Sequence, residues 1–205
     1  MAIVGRVIEF PVDPIEERWC LCYYVTKGKG YDYLSQPLFD FKDGKNGVFT
    51  AWSNWAIDYL KKIVKDKKID YCIRVLGHSE KVALKNVPLN LLGREIEKKL
   101  GVAYAPVVIA KTRETKSFKN LKTEEERKKE LDGVYFIKDK DIDLKKKNIL
   151  IIDDIKTTGT TTDTIAKLLK ENYKGVNCYL FTLAESGDSN DKETIDKYKA
   201  YAGQI

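Results

Sequence analysis

The segment over residues 148–171, NILIIDDIKTTGTTTDTIAKLLKE, constrains the fold more than any other part of the sequence. A short apolar run leads into two adjacent aspartates, and a cluster of threonines around one glycine follows. Apolar residues then recur every three or four positions up to Tyr173, which predicts an amphipathic helix that begins near Thr160 or Thr161. We therefore expect a buried strand that ends near Ile152, a polar turn and a helix.

Short apolar runs alternate with helical patterns along the rest of the chain from residue 69. The runs are IDYCIRVL, APVVIAK, GVYFIK, NILII and VNCYLFTLA, and helical patterns cover LNLLGREIEKKLG and TDTIAKLLKENY. Near-continuous apolar strands joined by helices are typical of a mostly parallel sheet that is covered on both faces. The expected fold class is therefore α/β, with a mostly parallel, doubly wound sheet over residues 69–184.

Residues 1–68 are expected to form a small hood beside this core. The run RWCLCYYVTKGKGYDYLSQP alternates around Gly28 and Gly30, which predicts a β-hairpin. In FTAWSNWAIDYLKKIVKDKK the apolar residues step by three and four, which predicts an amphipathic helix with its aromatic stripe in the core. Residues 185–205 are expected to form a polar C-terminal tail or helix.

The composition narrows the classes of protein that fit. Hydrophobic residues make up 43% of the 205 residues. No stretch approaches the roughly 18 uninterrupted apolar residues of a membrane span, and MAIVGRVIEF is typical of a strand and not of a secretion signal. A soluble, cytoplasmic protein with no membrane partner is expected. The net charge of +6 is spread along the chain and not gathered in one stripe, so it favours nucleic-acid binding only weakly.

The four cysteines do not have the spacing of a metal site. They are scattered as Cys20, Cys22, Cys72 and Cys178, whereas structural zinc sites favour C-x-x-C pairs completed by further ligands. Cys72 and Cys178 lie inside apolar runs, where a reduced thiol behaves as a small hydrophobic side chain. Reduced core cysteines are therefore expected.

The turn between the apolar run and the helix is an anion site by its position. Ligands of open parallel sheets bind beyond the carboxyl ends of the strands, where the next helix presents free N–H groups and the positive end of its dipole. Gly159 allows the backbone to approach a phosphate closely. Hydroxyl donors without added charge come from four neighbouring threonines: Thr157, Thr158, Thr160 and Thr161. A phosphate monoester fits such a turn.

Asp153 and Asp154 beside the turn would repel an anion unless the ligand also presents hydroxyl groups or a cation. A phosphorylated sugar does both, because its hydroxyls donate to the carboxylates and Mg²⁺ accompanies its phosphates. A simple helix cap explains one polar residue but not two acids followed by TTGTTT. A P-loop needs a second glycine and a lysine that the segment lacks, and a receiver domain needs more chain than follows Asp154.

The sequence ILIIDDIKTTGTT, residues 149–161, resembles the phosphoribosyl-diphosphate (PRPP) binding signature of type I phosphoribosyltransferases. In that signature an apolar strand leads to two acids, a spacer and a T-T-G-x-T turn. The resemblance implies the type I phosphoribosyltransferase fold. It also implies that Asp153 and Asp154 hold the ribose hydroxyls and that residues 157–161 hold the 5-phosphate.

A narrower likeness extends upstream. KTRETKSFKNLKTEEERKKELDGVYF, residues 111–136, is similar to the ComF branch of the superfamily, in which a basic-T-x-x-Q-x-x-L stretch precedes an Arg, an Asn and G-A-F. Phe118 stands where that branch favours Gln, and Glu130 where it favours Asn. The zinc finger of the branch is absent, and LKNVP replaces its R-G-F-N-Q run. The chain thus resembles a divergent ComF-family member that lacks the zinc finger. The matching positions are Arg113, Thr115, Leu121, Arg127, Gly133 and Tyr135.

Departure of pyrophosphate from PRPP requires positive charge and N–H donors more than a strong nucleophile. One source is LGHSEK after the first core strand, where Gly77 and Ser79 could form a backbone nest for pyrophosphate, as the equivalent loop does in the resembled superfamily. His78, the only histidine, is a candidate general base, although a lone loop histidine also serves as a hydrogen-bonding or surface residue.

The second source is the charged connection over residues 112–132, TRETKSFKNLKTEEERKKELD. Connections of this length are usually functional loops or mobile segments. Lys111, Arg113 and Lys116 adjoin the preceding strand, and closure of this connection could bring them onto the diphosphate and exclude water. These three residues are the candidate catalytic cations. The alternative, a solvated loop with Glu–Lys pairs, fits residues 124–129 best.

The resemblance implies Mg²⁺-dependent transfer of a 5-phosphoribosyl group from PRPP to a nucleobase or related amine. No protein ligand is assigned to Mg²⁺, which the PRPP itself would mainly hold. Several members of the superfamily carry an acid at the position of Thr157 that contacts the nucleobase, and a threonine cannot act as a base at neutral pH. The alternatives are a non-catalytic PRPP or nucleotide sensor, favoured by the altered positions at LKNVP, Phe118 and Glu130, and a DNA-uptake accessory protein, favoured only by the net charge of +6. A homodimer remains open.

Overall fold

A computed structural model describes residues 6–8, 14–24, 32–45 and 47–186. The helices are α1 (Asp32–Lys42), α2 (Val48–Asp66), α3 (Pro88–Leu100), α4 (Glu124–Leu131) and α5 (Thr160–Asn172). The strands are β1 (Arg6–Ile8), β2 (Glu17–Tyr24), β3 (Tyr71–Arg74), β4 (Ala103–Tyr104), β5 (Ile109–Lys111), β6 (Tyr135–Ile137), β7 (Asn148–Lys156) and β8 (Asn177–Ser186). Helices and strands therefore alternate, as predicted.

Six strands form the central sheet in the order β1-β2-β8-β7-β3-β4. Neighbouring strands from β2 to β4 run parallel, and only β1 at the edge runs antiparallel to its neighbour. Residues 149–152 of β7 are completely buried, which is typical of a strand covered on both faces. The predicted α/β class with a mostly parallel sheet is confirmed.

The two faces of the sheet carry different helices. Ile165 and Leu169 of α5 pack with Ile149 and Ile151 of β7 on one face. The alternate residues of β7 face a second cluster that includes α1, α2 and α3. This alternation follows from the period of two in a strand, which points successive side chains to opposite faces. The sheet is thus doubly wound, as predicted, and α3 and α5 lie on opposite faces.

The amphipathic helix predicted from residue 49 is α2, and its buried stripe includes Trp52, Ala56 and Leu60. The predicted β-hairpin around Gly28 and Gly30 is wrong. The two glycines lie outside the described residues, but the expected second arm is part of helix α1. The only antiparallel partner of β2 among the described residues is β1, which precedes it in the chain.

Strand β2 lies inside the main sheet and pairs with β8 from Glu17 to Tyr24. Its alternating pattern arises because Trp19 and Leu21 pack in the second cluster, while Arg18, between them and Glu17, is a buried polar residue on the other face. Helix α1 buries Leu38 and Phe41 in the same cluster as α2. The first 68 residues thus contribute two strands, β1 and β2, to the main sheet as well as helices beside it.

The runs APVVIAK and GVYFIK form a separate antiparallel ribbon, β5–β6, and not strands of the main sheet. The ribbon packs on the α5 face through residues such as Ile109 and Tyr135. The connection between them contains a short 3-10 helix, Phe118–Asn120, followed by α4. Helix α4 begins with a capping box, in which the Thr123 hydroxyl accepts from the Glu126 N–H at 3.1 Å.

Cys72 and Cys178 are completely buried, as predicted, and burial raises the pKa of the Cys178 thiol to about 12. Within the described ranges, no helix is both long and apolar enough to cross a membrane. The expected C-terminal tail or helix lies outside the described residues beyond residue 186.

Candidate functional site

Strand β7 is longer than the sequence suggested. It was expected to end near Ile152, but it continues through Asp153 and Asp154 to Lys156. The reason is that β8 continues beside it, with Asp153 opposite Thr182 and Lys156 opposite Glu185. The two acids therefore belong to the end of a strand and not to the turn that follows.

The two carboxylates lie in one partly buried, charged environment. The Asp153 Oδ1 accepts from the Asp154 N–H at 2.9 Å, and the Asp154 Oδ1 accepts from the Ile155 N–H at 2.6 Å. Lys42, at the end of α1, places its Nζ 3.0 Å from the Asp154 Oδ2. Burial, followed by the negative charge of Asp154, raises the pKa of Asp153 to about 8. Burial therefore favours the protonated form of Asp153 when no ligand is bound.

The threonine turn, residues 157–161, leads directly from β7 into α5. Helix α5 begins at Thr160, as predicted, and Gly159 is its N-cap with a φ of 86°. A Cβ on Gly159 would lie 3.3 Å from the Lys156 Cε and 3.4 Å from the Arg18 Nη1. The positive φ and this crowding explain why glycine occupies the position.

The threonine hydroxyls order the turn. The hydroxyl oxygens of Thr158 and Thr160 lie 2.8 Å apart, and Thr162 donates to the Gly159 carbonyl at 2.8 Å. The first backbone bond of the helix runs from the Asp163 N–H to the Gly159 carbonyl at 2.9 Å. The N–H groups that precede Asp163 in the first turn consequently lack carbonyl partners inside the helix, which is the arrangement that binds anions.

Strand β3 ends beside β7, so the loop that follows it, residues 77–79, starts at the same edge of the sheet. The two strands pair in parallel, and the Val75 N–H donates to the Ile152 carbonyl at 3.0 Å. Gly77, His78 and Ser79 are all exposed. The helices that follow β3 and β7 lie on opposite faces of the sheet. The crevice at the carboxyl ends of these two strands is therefore a topological switch point, where open α/β sheets bind ligands.

The 77–79 loop is held by a buried ion pair that the sequence analysis missed. The Arg74 guanidinium lies 2.8 Å and 2.5 Å from the two Glu80 carboxylate oxygens, and the side chains are 1% and 6% exposed. Glu80 also accepts from the Gly77 N–H at 2.6 Å. Burial opposes ionisation of Glu80, yet the hydrogen bonds from Arg74 and the backbone lower the pKa of Glu80 below its usual value. An arginine within the apolar run IDYCIRVL was the signal for this pair.

The Gly77 N–H that was expected to contribute to an anion nest is thus occupied by Glu80. Lys111 holds the same loop from the other side, with its Nζ donating to the Gly77 carbonyl at 2.6 Å and lying 3.4 Å from the His78 carbonyl. Lys111 is only 4% exposed, and burial lowers the pKa of its ammonium group to about 8. Lys111 therefore contacts the loop backbone at the candidate site.

Arg113 and Lys116 are tied to α4. Arg113 donates to the Glu130 Oε1 at 2.7 Å and to the Glu130 carbonyl at 2.8 Å. The Lys116 N–H donates to the same Glu130 Oε1 at 2.8 Å. Glu130, a position where the chain departs from the ComF pattern, thus holds the Arg113 side chain and the Lys116 backbone. The expected Glu–Lys pairing is present as well, between Glu124 and Lys128 at 2.6 Å.

The side chain of Arg127, in α4, links the charged segment 112–132 to the threonine turn. Its Nη1 lies 3.4 Å from the Thr158 Oγ1, and its Nη2 donates to the Leu121 carbonyl at 3.2 Å. Its guanidinium lies 5.6 Å from the centre of the Phe118 ring. The sequence pattern singled out Arg127 as a match, but only the structure places it beside the turn.

The donor set fits Mg²⁺ only in part. Among the described residues, no group of three or more His, Cys, Asp or Glu side chains is arranged to hold a metal ion. Asp153 and Asp154 offer two carboxylates, and Mg²⁺ commonly binds one or two carboxylates while substrate phosphates and water complete its octahedron. These residues therefore suit a Mg²⁺ ion that arrives with a phosphorylated ligand.

No protein-family model and no curated protein matches this sequence. Similar solved structures include an adenine phosphoribosyltransferase from Thermoanaerobacter pseudethanolicus, with 20% identity over 80% of this chain and 81% of that chain and a TM-score of 0.46. An adenine phosphoribosyl transferase from Trypanosoma brucei in complex with AMP, pyrophosphate and ribose-5-phosphate is similar with 13% identity, coverage of 75% and 70%, and a TM-score of 0.45. A hypoxanthine phosphoribosyltransferase from Staphylococcus aureus is similar with 20% identity, coverage of 67% and 64%, and a TM-score of 0.43.

Proposed function

We propose that this protein binds PRPP with Mg²⁺ and transfers its 5-phosphoribosyl group to a nitrogenous acceptor, with release of pyrophosphate. One observation carries the proposal. Two carboxylates at the end of β7, the threonine turn at the start of α5 and the 77–79 loop after β3 share one edge of the sheet, at its topological switch point. These three groups match the three parts of PRPP. The carboxylates suit the ribose hydroxyls, the threonine turn suits the 5-phosphate, and the 77–79 loop suits the diphosphate.

In this proposal Asp153 and Asp154 accept hydrogen bonds from the ribose hydroxyls. The threonine turn, with Thr157, Thr158, Gly159, Thr160 and Thr161, holds the 5-phosphate through its hydroxyls and the N–H groups of the helix start. Sugar hydroxyls and a nearby cation favour the ionised form of Asp153, so ligand binding would release the proton that burial retains.

The diphosphate is assigned to the 77–79 loop. The N–H groups of His78 and Ser79 are the backbone donors proposed there, because Glu80 occupies the Gly77 N–H and Lys111 holds the loop carbonyls. Mg²⁺, when bound with PRPP, would neutralise charge on the departing oxygen atoms. The bond from ribose C1 to the diphosphate oxygen breaks with its electron pair on pyrophosphate, while the acceptor nitrogen bonds to C1 and loses its proton to a pyrophosphate oxygen.

Arg113 and Lys116 are proposed to approach the diphosphate when the charged connection closes over the site. The bonds from the Arg113 guanidinium to Glu130 would be exchanged for bonds to the diphosphate oxygens, which are stronger anionic acceptors, while the Lys116 ammonium would approach from the same segment. Such closure would exclude water, which otherwise hydrolyses the activated sugar. The matches at Arg113 and Arg127 support a place near the ComF branch as part of the same proposal.

A second function, a non-catalytic PRPP or nucleotide sensor, is favoured by two specific observations. Thr157 cannot serve as a base, and the Gly77 N–H is engaged with Glu80. A sensor would use the same pocket to bind PRPP but would transfer nothing.

Calorimetric titration with PRPP and Mg²⁺, followed by a pyrophosphate-release assay over purines, pyrimidines and amines, tests both functions. We expect binding by the wild type and a loss of roughly 10-fold or more in affinity for Asp153→Asn and Asp154→Asn, since each removes a charged acceptor. Asp141→Asn, at an exposed position, is the matched control. Binding without release for every acceptor favours the sensor, and equal binding by all variants and the wild type contradicts the proposed site.

A further inference from the structure

Arg127 is held in a geometry that suits an anion at the threonine turn. The Phe118 ring lies against its guanidinium, the Leu121 carbonyl accepts from its Nη2, and its Nη1 points to the Thr158 hydroxyl. The contact to Thr158, at 3.4 Å, is longer than an ordinary hydrogen bond. The side chain is therefore positioned by two firm contacts, while the edge that faces the turn is weakly bonded.

A second arginine, on strand β2 of the central sheet, reaches the same turn from the side of the sheet. Arg18 of β2 is 5% exposed, and its Nη2 donates to the Asp163 Oδ1 at 2.6 Å. Its Nη1 is buried and has no hydrogen-bond partner among the described residues. This Nη1 lies 3.4 Å from the position that a Cβ on Gly159 would take, so it is directed at the N-terminus of α5. A buried donor without a partner is costly, and a negative charge nearby compensates for it.

We propose that a phosphate monoester at the threonine turn is bound directly by Arg127 and stabilised from beneath by Arg18. This inference rests on the proposed function and deepens it. It assigns the recognition of the 5-phosphate to two arginines that lie outside the signature segment, one on β2 and one on α4. Asp163 holds Arg18 in place, and the N–H groups of the first turn of α5 complete the site.

The choice of arginine follows from the geometry of the phosphate. A guanidinium presents a planar fork that matches two phosphate oxygens, whereas a lysine ammonium acts as a point charge. Arg127 can turn its Nη1 edge from the Thr158 hydroxyl to a phosphate oxygen without losing the Leu121 contact. The site thus selects ligands that carry the 5-phosphate over those that do not, and Arg127 is the α4 side chain that contacts the threonine turn.

The test compares two probes by calorimetric titration in the presence of Mg²⁺: ribose 5-phosphate, which carries the phosphate of interest, and inorganic pyrophosphate, which is assigned to the 77–79 loop. For Arg127→Gln we expect an affinity for ribose 5-phosphate that is about 10- to 100-fold lower, the range of one charge-assisted hydrogen bond. Its affinity for pyrophosphate should stay within about twofold of the wild type. Arg127→Lys should recover part of the loss, and Arg18→Gln should weaken ribose 5-phosphate in the same selective way.

Arg94→Gln is the matched control, because Arg94 is exposed on α3 at the opposite face of the sheet. Thermal unfolding without ligand identifies any variant that fails to fold, and Arg127→Gln keeps the test decisive if Arg18→Gln does so. The inference is overturned if Arg127→Gln binds ribose 5-phosphate as the wild type does, or loses both probes equally. If the wild type binds neither ribose 5-phosphate, pyrophosphate nor PRPP, the proposed function itself falls, which is a different outcome.

Discussion

The guanidinium of Arg74 and the carboxylate of Glu80 form a buried, two-point ion pair, with nitrogen–oxygen distances of 2.8 and 2.5 Å. Glu80 also accepts from the N–H groups of Gly77 and Leu84, at 2.6 and 3.0 Å. One carboxylate therefore joins the end of β3 to both sides of the loop that follows it. The loop at the candidate diphosphate site depends on this pair for its shape.

Replacement of Glu80 by Gln is expected to destabilise the protein strongly, because Arg74 would remain buried without a counter-charge. Breaking a buried ion pair in this way costs about 3–5 kcal/mol. The free energy of unfolding, measured by urea denaturation, tests this value. Glu95→Gln is the control, since its pair with Lys99 is a partly exposed i,i+4 pair worth only about 0.3–0.5 kcal/mol. Similar losses for the two variants would contradict the role of the buried pair.

The raised pKa of Asp153 predicts a pH dependence of stability. Its pKa rises from an ordinary value of 3.8 to about 8 on folding, so the folded state retains a proton that the unfolded state releases. The stability linked to this group is fully present below pH 3.8 and is lost as the pH rises through about 8.

Asp153→Asn removes that loss, so the variant should gain stability relative to the wild type as the pH rises from 4 to 8, by on the order of 1–3 kcal/mol. Chemical denaturation of both proteins at a series of pH values measures the difference. Thr182→Val is the control, because Thr182 lies opposite Asp153 in β8 but has no acidic group. Its difference in stability from the wild type should not vary with pH. A difference between Asp153→Asn and wild type that does not vary with pH would contradict the prediction.

Lys111→Met should disorder the 77–79 loop without emptying the space that the lysine stem fills. The Gly77 carbonyl would lose its donor at 2.6 Å. We expect affinity for pyrophosphate with Mg²⁺ to fall about 10-fold, the effect of one charge-assisted hydrogen bond. Lys81→Met, an exposed neighbour of the same loop, should bind as the wild type does. Unchanged binding by Lys111→Met would show that the loop keeps its shape without this contact.

Gly159→Ala should cost stability for two separable reasons. A φ of 86° disfavours any L-residue by about 1–2 kcal/mol, and the new Cβ would also crowd Lys156 and Arg18. Gly101→Ala is a matched control, because Gly101 is also left-handed, with a φ of 72°, and has nothing within 4 Å of a Cβ. Unfolding measurements should therefore show a larger loss for Gly159→Ala, and equal losses would mean that the crowding is relieved at no cost.

Local patterns predicted three of the five described helices, α2, α3 and α5, and missed α1 and α4. The three- and four-residue spacing predicted α2, and the glycine followed by an apolar period located the start of α5 at Thr160. Both features depend on residues within a few positions of one another, because a helix bonds each residue to the fourth before it. The mostly parallel sheet was predictable for a similar reason, since buried strands are apolar along their whole length.

The errors share a different cause. The alternating run in β2 predicted a hairpin, but its partner β8 lies about 160 residues away in the chain. The β5–β6 ribbon was assigned to the main sheet because an apolar run does not record which strand it pairs with. Arg74 and Glu80 were missed because a charged residue in an apolar strand reveals its burial only when its partner is known.

The sequence by itself determined the α/β alternation, the glycine turn and the acid pair that precedes it, because these follow from local propensity, periodicity and backbone sterics. Only the tertiary structure decided where β7 ends, which side chains hold the 77–79 loop and that Arg18 and Arg127 both lie near the start of α5. Those features arise from contacts between residues far apart in the chain. Their energies depend on burial and on partners that no local pattern specifies.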